Sequence, residues 1–513
     1  MQDLIRMQKH GPLELTSRFK PKTQKIMKHI ALLLVLGLCV TSCEDFLEED
    51  LSTLITSESG ALSNEAGLTA ALAGAYKPLT ATWGSGLGNA STQAILMGSD
   101  DLTTHKASNK ADFREFDQFK VAQQNGRLPF VWNGAYKSIQ GCNNIIDNYE
   151  NATGDKDAIN QIAGEAFFLR AYNYFWIVRL WGEAPLVLET HIFTEDILSI
   201  SSSSTSEIYA QIISDLQQAE LLLGDTKPDP GRACKGTAKA ILAEVYLQMA
   251  GWPLNDNSKY AMAASKAKEV IDNQDTYGFG LMEDFADLWP NDSVNNDGNK
   301  EEVFALNFWA GAWYNGNAVY GLPARPSDEG GWDDYLSELT FFYEFPEGYR
   351  KDITFDTELD DGTPWTSFQT GRPYYEKLQG PNPDWLNAVS LPLERMAEVY
   401  LVFAEAQVVS TGNNSDPDAL EAVNKIVRRG AGLPIDTPDP TVDWTSATQD
   451  EIVQEKGWEF AGEYCRWFDL VRLQKVEEVV AKKDPDDLQP LGPITYFHPL
   501  PASETLANPN LIE

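Results

Sequence analysis

Fourteen tryptophans in 513 residues are the side chains with the most direct route to chemistry in this chain. A flat indole or phenol ring matches the apolar C–H face of a sugar, while polar neighbours bond its hydroxyls. Concave aromatic sites with a few polar groups are a common form of ligand pocket. Core packing is the ordinary alternative for any one tryptophan, so the surrounding sequence decides. Trp176 and Trp181 fall in a helical stretch and are assigned to packing. Trp83 sits in a loop rich in Gly, Ser and Thr. Trp309, Trp313 and Tyr314 sit in WAGAWYNGN, and Trp332 sits in DEGGWDDY. Trp83, Trp309, Trp313, Tyr314 and Trp332 are therefore the candidate ligand-binding residues.

Catalysis finds less support. Beyond residue 42 three histidines remain, His105, His191 and His498, far apart in sequence. There is no HExxH, GxSxG or P-loop pattern. A glycosidase needs two carboxylates, but with 76 Asp and Glu any chosen pair reads as surface charge. The chain reads as a non-enzyme. EFAGEYCRWFDLVR (Glu459–Arg472) has the look of a charged active-site helix. Its Glu463–Arg466 and Asp469–Arg472 spacings are i, i+3, so each pair is expected to neutralise itself. NDSVNNDGNKEE (Asn291–Glu302) has a faint calcium-loop look. Setting Gly298 as the turn glycine puts Ser293 and Phe304 at the first and last ligand positions, and neither fits. It reads as a polar turn. No cofactor is assigned, and calcium in another geometry stays open. Cys142, Cys234 and Cys465 lack any paired spacing and are expected to be buried, unreactive small hydrophobes.

The net charge is −36. Residues 1–42 hold seven Lys/Arg and two Asp/Glu, so the remainder carries 33 basic against 74 acidic residues, a net of −41. Such a polyanion is unsuited to binding nucleic acid by counterion release. It favours solubility outside the cell and disfavours polyanionic ligands.

What positions these residues begins with an address. MKHIALLLVLGLCVTSCED (Met27–Asp45) has a short basic start, an apolar run and small residues before a cysteine. That is the pattern of a secretory signal with a lipoprotein processing site. The apolar run is shorter than the roughly 20 residues of a spanning helix. Cys43 is the expected lipid-attachment residue. Residues 1–26 read as an upstream extension ahead of the true start at Met27, 27–42 as the signal, and 43–63 as an acidic tether.

Helical pattern begins near Asn64. Trp132–Tyr149 and Ile159–Trp181 read as helices, the second with Phe167, Ala171, Tyr174, Phe175 and Val178 on one face. Ser206 is placed as the cap of Glu207–Leu223. Gly236–Gly251 and Lys259–Asn273 read as a pair, as do Leu391–Ser410 and Pro417–Arg429, and Gln449–Val480 reads as a helical tract. Helix pairs with alanine at close-approach positions resemble the tetratricopeptide repeat in degenerate form. Between the two sets lies Gly278–Ser390, rich in Gly, Pro, Asn, Asp and aromatics, with one expected strand at Glu302–Phe308. A segment this long without its own helices is usually functional.

Several stretches together resemble one family, the SusD/RagB outer-membrane nutrient-binding lipoproteins. They are GEAFFLRAYNYFWIVRLWGEAPL (Gly164–Leu186), GTAKAILAEVYLQMAG (Gly236–Gly251), LERMAEVYLVFAEA (Leu393–Ala406) with AVNKIVRRGAGL (Ala422–Leu433), EYCRWFDLVRL (Glu463–Leu473) and HPLPASETLANPNL (His498–Leu511). The resemblance implies a mainly all-α fold, with about four tetratricopeptide-like units packed against an irregular ligand-binding half with a few short strands. It divides the chain into an N-terminal helical region, 64–277, an irregular aromatic-rich region, 278–390, and a C-terminal repeat region, 391–513. It implies a lipid-anchored protein on the outside of the outer membrane, a lid on a SusC-like TonB-dependent barrel. Such a protein captures a glycan, or in the RagB branch a peptide. A surface glycoside hydrolase is the alternative from a different class. The acidic run after Cys43 resembles the family's surface-export signal. The family's ligand residues follow no motif, but its sites draw on an N-terminal loop and the mid-chain region, the stretches that hold Trp83 and Trp309–Trp332.

Overall fold

The computed structural model describes residues 60–80, 85–107, 109–190, 199–289, 298–308, 316–380 and 388–511. The signal, Cys43 and most of the tether lie outside these residues. Within them no helix is long and apolar enough to cross a membrane.

The long helices are α1 (Glu65–Tyr76), α2 (Ala111–Asp117), α3 (Leu128–Ile146), α4 (Lys156–Trp181), α5 (Thr205–Leu222), α6 (Lys235–Ala250), α7 (Lys259–Asp272), α8 (Met396–Thr411), α9 (Pro417–Gly430), α10 (Gln449–Glu459) and α11 (Arg466–Arg472). Their starts are chemically marked. Asn64 and Asp155 cap α1 and α4 by accepting from backbone N–H groups of the first turn. Ser204, rather than Ser206, caps α5 through a reciprocal box with Glu207. Thr448 and Glu451 do the same for α10.

Each helix packs on its sequence neighbour from α3 to α7, and α8 then packs on α7, α9 and α10. The mainly all-α expectation, with helices packed on their sequence neighbours, therefore holds. The single apolar face read for α4 does not: from Ile162 to Trp181 every residue but Phe167 is buried. A helix enclosed on all sides carries no polar face, and α4 is enclosed between α3 and α5. Trp176 and Trp181 are core residues, as read.

Two other readings change. Leu391–Arg395 is not the first turn of α8 but a strand, β2, paired antiparallel with β1 (Glu302–Leu306). The Gln449–Val480 tract is broken into α10, α11 and a short helix at Val476–Ala481. Many aromatics of the irregular region serve the core: Trp289 and Tyr320 are buried, and Trp365 packs on Phe342. Cys142 and Cys234 are buried and Cys465 partly so. Burial pushes the Cys142 thiol up to about 12.

Charge, rather than apolar surface alone, joins the irregular region to the C-terminal helices. Arg395, at the end of β2, bonds Glu301 (2.8 Å), Glu459 (3.0 Å) and Glu463 (2.9 Å) while its guanidinium lies 4.0 Å from the centre of the Phe460 ring. Arg429 of α9 also holds Glu301 and Glu459. Arg350 reaches Glu455 (2.7 Å) and Glu459 (3.1 Å), and Lys377 reaches Glu463 (2.8 Å). All of these groups are buried. Glu463 therefore does not pair with Arg466 as its spacing suggests. Arg466 instead forms a two-point bond to Asp100, both contacts 2.7 Å. The Asp469–Arg472 pair does form, at 2.7 Å.

Burial pushes the Glu459 carboxyl up, but Arg429, Arg395 and Arg350 overrule it and hold its pKa at about 2, against an ordinary 4.5. A depressed folded-state pKa gives stability that is complete above the unfolded value and is lost as pH falls toward the folded one. The Glu459 contribution is thus expected to fade between about pH 4.5 and 2. Glu459→Gln leaves three cations short of a partner and is expected to cost about 3–5 kcal/mol at pH 7, read by chemical denaturation. Retained wild-type stability in that variant would contradict this account of the network.

Candidate functional site

A cleft of about 310 Å³ opens where three distant segments meet. Thr103–Lys106 form one wall, Thr370–Arg372 the second and Asp486–Leu488 the third, with Leu336 at the base. Leu336 belongs to a small separate apolar cluster with Phe368 and Tyr374, so the base is a packed layer.

The walls are fixed by specific bonds. Thr103 and Leu336 exchange backbone hydrogen bonds, each 2.9 Å. The Thr103 hydroxyl donates to Asp117 Oδ2 at 2.6 Å. Lys483 sits between Asp117 and Glu338, all three buried. Arg372 bonds Asp487 at 3.0 Å, and the other Asp487 oxygen accepts the Leu339 N–H, also at 3.0 Å. The 484–488 wall is thereby pinned from both sides.

The cleft offers hydrogen-bonding groups of several kinds. Thr104 is buried and its hydroxyl has no partner among the described residues. His105 borders the opening. Burial lowers its pKa, Arg372, Arg114 and Lys106 lower it further, and Asp333 opposes them, so the ring is a neutral donor and acceptor at pH 7. Hydroxyls from Thr103 and Thr370 and the Lys106 ammonium complete the rim. Together these groups suit a ligand rich in hydroxyls.

Trp332, the sequence-predicted residue that the structure describes, is not part of this cleft's lining and connects to its wall through the neighbouring Asp333. It is 37% exposed, high for a tryptophan. Its loop is held by Trp332 N–H to Leu322 O and Gly331 N–H to Pro326 O, both 2.9 Å. A side chain on Gly331 would run into the Arg325 carbonyl at 2.1 Å, which accounts for the second glycine of DEGGWDDY. The next residue, Asp333, accepts from Tyr374 Oη, which also contacts Thr370 on the cleft wall. Lys110 lies 5.8 Å from the centre of the Trp332 ring and bonds Asp334 at 2.9 Å. Beyond it Arg127 covers Phe113 (4.9 Å) and donates to Ser91 Oγ (3.2 Å). An alternation of rings and cations thus runs away from the cleft.

Trp83, Trp309, Trp313, Tyr314 and Cys43 lie outside the described residues. The stems of their loops are described, and they converge. Thr80 and Gly86, which flank residues 81–84, bridge each other, and Gly86 N–H donates to Phe130 O at 2.8 Å. Asn89 bridges Ala318, just past residues 309–315. The Phe308 ring fills the space a side chain on Gly88 would take. Asn317 Nδ2 donates to Val389 O (2.9 Å) and Arg325 Nη2 to Gly380 O (2.8 Å), tying in both ends of 381–387.

His105, Thr104, Thr370 and Arg372 carry no sequence signal. They are common residues from segments more than 260 positions apart. A second cavity of about 300 Å³ along α3 is mainly apolar, lined by Trp132, Tyr136 and Val187. Two of its polar groups are already engaged: Tyr136 Oη bonds Pro185 O, and Asn508 Nδ2 bonds Ile200 O. His498 is no site residue. Burial takes its pKa down to about 4, and it stacks on Trp467.

Comparison with known proteins agrees with this architecture. Residues 45–247 match a SusD-like family described as starch-binding and associating with the outer membrane, and residues 360–513 match the SusD family. The SusD-like protein P2 of Formosa agariphila is 29% identical, over 93% of this chain and 97% of its own. The crystal structure of a SusD homologue from Bacteroides thetaiotaomicron superposes with a TM-score of 0.76 at 19% identity, covering 89% of this chain and 98% of that one. A laminarin-binding SusD-like protein superposes with a TM-score of 0.72 at 22% identity, covering 87% and 98%. At these identities the two structures establish the fold.

Lys483→Met tests how the cleft wall is held. It leaves Asp117 and Glu338 buried without their cation, with an expected cost of about 3–5 kcal/mol. Hydrogen exchange at residues 484–488 should quicken by far more than at α4. Uniform exchange across the chain would contradict the pinning.

Proposed function

The chain belongs to the SusD/RagB family, and on that premise we propose that it captures a neutral glycan in the cleft tied to the Trp332 loop and passes it to a SusC-like TonB-dependent barrel for import. Cys43 carries the lipid that anchors it to the outer membrane, on the outer face of the cell. The N-terminal and C-terminal helical regions, 64–277 and 391–513, form the docking half, and residues 278–390 supply most of the ligand half.

One observation carries this reading. A cleft whose Thr104 hydroxyl is unspent among the described residues and whose imidazole is neutral is tied, through Tyr374 and Asp333, to the loop that carries the 37% exposed Trp332 indole. The ring supplies a face for sugar C–H groups, and the hydroxyl and imidazole can each give and accept a hydrogen bond. The described residues flanking 81–84 and 309–315 are joined by the Asn89–Ala318 bridge, which supports keeping Trp83, Trp309, Trp313 and Tyr314 as proposed ligand residues of one site. The laminarin-binding relative and the starch-binding family description point to the same ligand class.

The carboxylates lining the cleft do not favour hydrolysis. Of the two, Asp487 is committed to Arg372 and the Leu339 N–H, and nearby Asp333 is committed to Tyr374 and the Ser327 N–H. That leaves Asp486 without the second free carboxylate that glycoside hydrolysis uses.

A glycan and peptide array on the lipid-free protein identifies the ligand, and titration calorimetry then tests the site. Trp332→Ala is expected to weaken binding about tenfold, which is about 1.4 kcal/mol, with melting unchanged. Trp309→Ala and Trp313→Ala should weaken it as well. Peptide binding without glycan binding, or full affinity in all three variants, would overturn the reading. Cys43→Ala should move the protein from the membrane fraction to the soluble one.

A further inference from the structure

A second buried charge cluster lies apart from the cleft, among α4, α6, β2, α8, α10 and α11. Glu244 of α6, Glu394 of β2 and Glu398 of α8 each bring a carboxylate oxygen within 4.8 Å of the other two. All three residues are buried.

The charged groups facing one another here do not balance. Arg179 of α4 bonds Glu244 at 2.7 Å. Lys456 of α10 bonds Glu398 at 2.7 Å and Asp469 at 3.2 Å. Arg472 bonds Glu405 at 2.6 Å and Asp469 at 2.7 Å. Five carboxylates, Glu244, Glu394, Glu398, Glu405 and Asp469, thus face three cations, Arg179, Lys456 and Arg472. With all five ionised, two negative charges are left over. Glu394 is 1% exposed, and among the described residues neither of its oxygens accepts a hydrogen bond from a donor group. A buried carboxylate left ionised in that state costs several kcal/mol, so it takes either a cation or a proton, the latter shared with Glu398.

The donors say what kind of positive group fits. All are oxygens, which suits hard cations such as calcium or magnesium over zinc or copper. Oxygens bound at about 2.4 Å around one calcium ion lie up to about 4.8 Å apart, and the three oxygens here fall within that limit. The neighbouring Cys465 thiol donates to Glu398 Oε2 at 3.3 Å. Burial holds that thiol protonated, so it offers no soft ligand.

We propose that Glu244, Glu394 and Glu398 hold one hard divalent cation, calcium or magnesium, as a structural ion. It balances the two leftover charges and joins helix α6 to the β2–α8 corner. Nothing in this site depends on glycan binding.

The test unfolds the full chain in denaturant with EDTA and refolds it at pH 7.5 with calcium, with magnesium, or with neither. After gel filtration, elemental analysis is expected to find about one ion per chain, with a higher melting temperature than the metal-free sample. Glu394→Gln and Glu244→Gln should each lose that ion and its thermal gain, while circular dichroism shows both still fold. Three results would overturn the proposal: no bound ion in the wild type, melting indifferent to metal, or full ion content in both variants. In the first two cases protons on Glu394 and Glu244 are the neutralising charge, and stability would fall as pH rises through about 7, where burial has pushed Glu244.

Discussion

The contact on which this molecule depends is the guanidinium of Arg395 held among Glu301, Glu459 and Glu463. Arg395 ends the strand that pairs with β1 and begins α8. Glu301 lies at the edge of β1, and Glu459 and Glu463 lie at the end of α10 and just beyond it. One side chain therefore fixes the irregular region against the helical repeats. Burying these charges is costly, and the contacts compensate only because each oxygen and each N–H is placed. The consequence is geometrical. The elements can meet in few other ways without stranding a buried charge.

That fixed seam makes the cleft possible. Its three walls come from 103–106, 370–372 and 486–488, none of which is helical. Loops hold a shape when their side chains and backbone are bonded to something that does not move. Here the Thr103–Leu336 bridge, the Asp117–Lys483–Glu338 set and the Arg372–Asp487 pair play that part. The bonded framework and the cleft loops are thus distinct in role, although one continuous core underlies most of the described residues.

Much of the fold was legible because helices announce themselves by period, and the start near Asn64 and the α6–α7 pair were visible in this way, whereas the caps Asp155 and Ser204 were not. Leu391–Arg395 was not. LPLER runs straight into an apolar helix, and only its distant partner at 302–306 makes it a strand. Glu463 was misassigned for a related reason. A local i, i+3 partner is a weak, solvent-level attraction, and two buried cations from remote segments outcompete it. The exposure of Trp332 was legible because a tryptophan among glycines and aspartates has little core to join. Thr104, His105 and Arg372 were not, since their meaning comes from segments that touch only after folding.

The central claim is that a neutral glycan binds where these three walls meet. Hydrogen–deuterium exchange of the full-length protein, with and without a saturating oligosaccharide ligand, tests it most directly. Protection is predicted at 103–106, 330–336, 370–372 and 484–488, with α4 and α6 unchanged. Protection confined to the α3 groove around Trp132 and Tyr136, or none at the cleft walls, would contradict it.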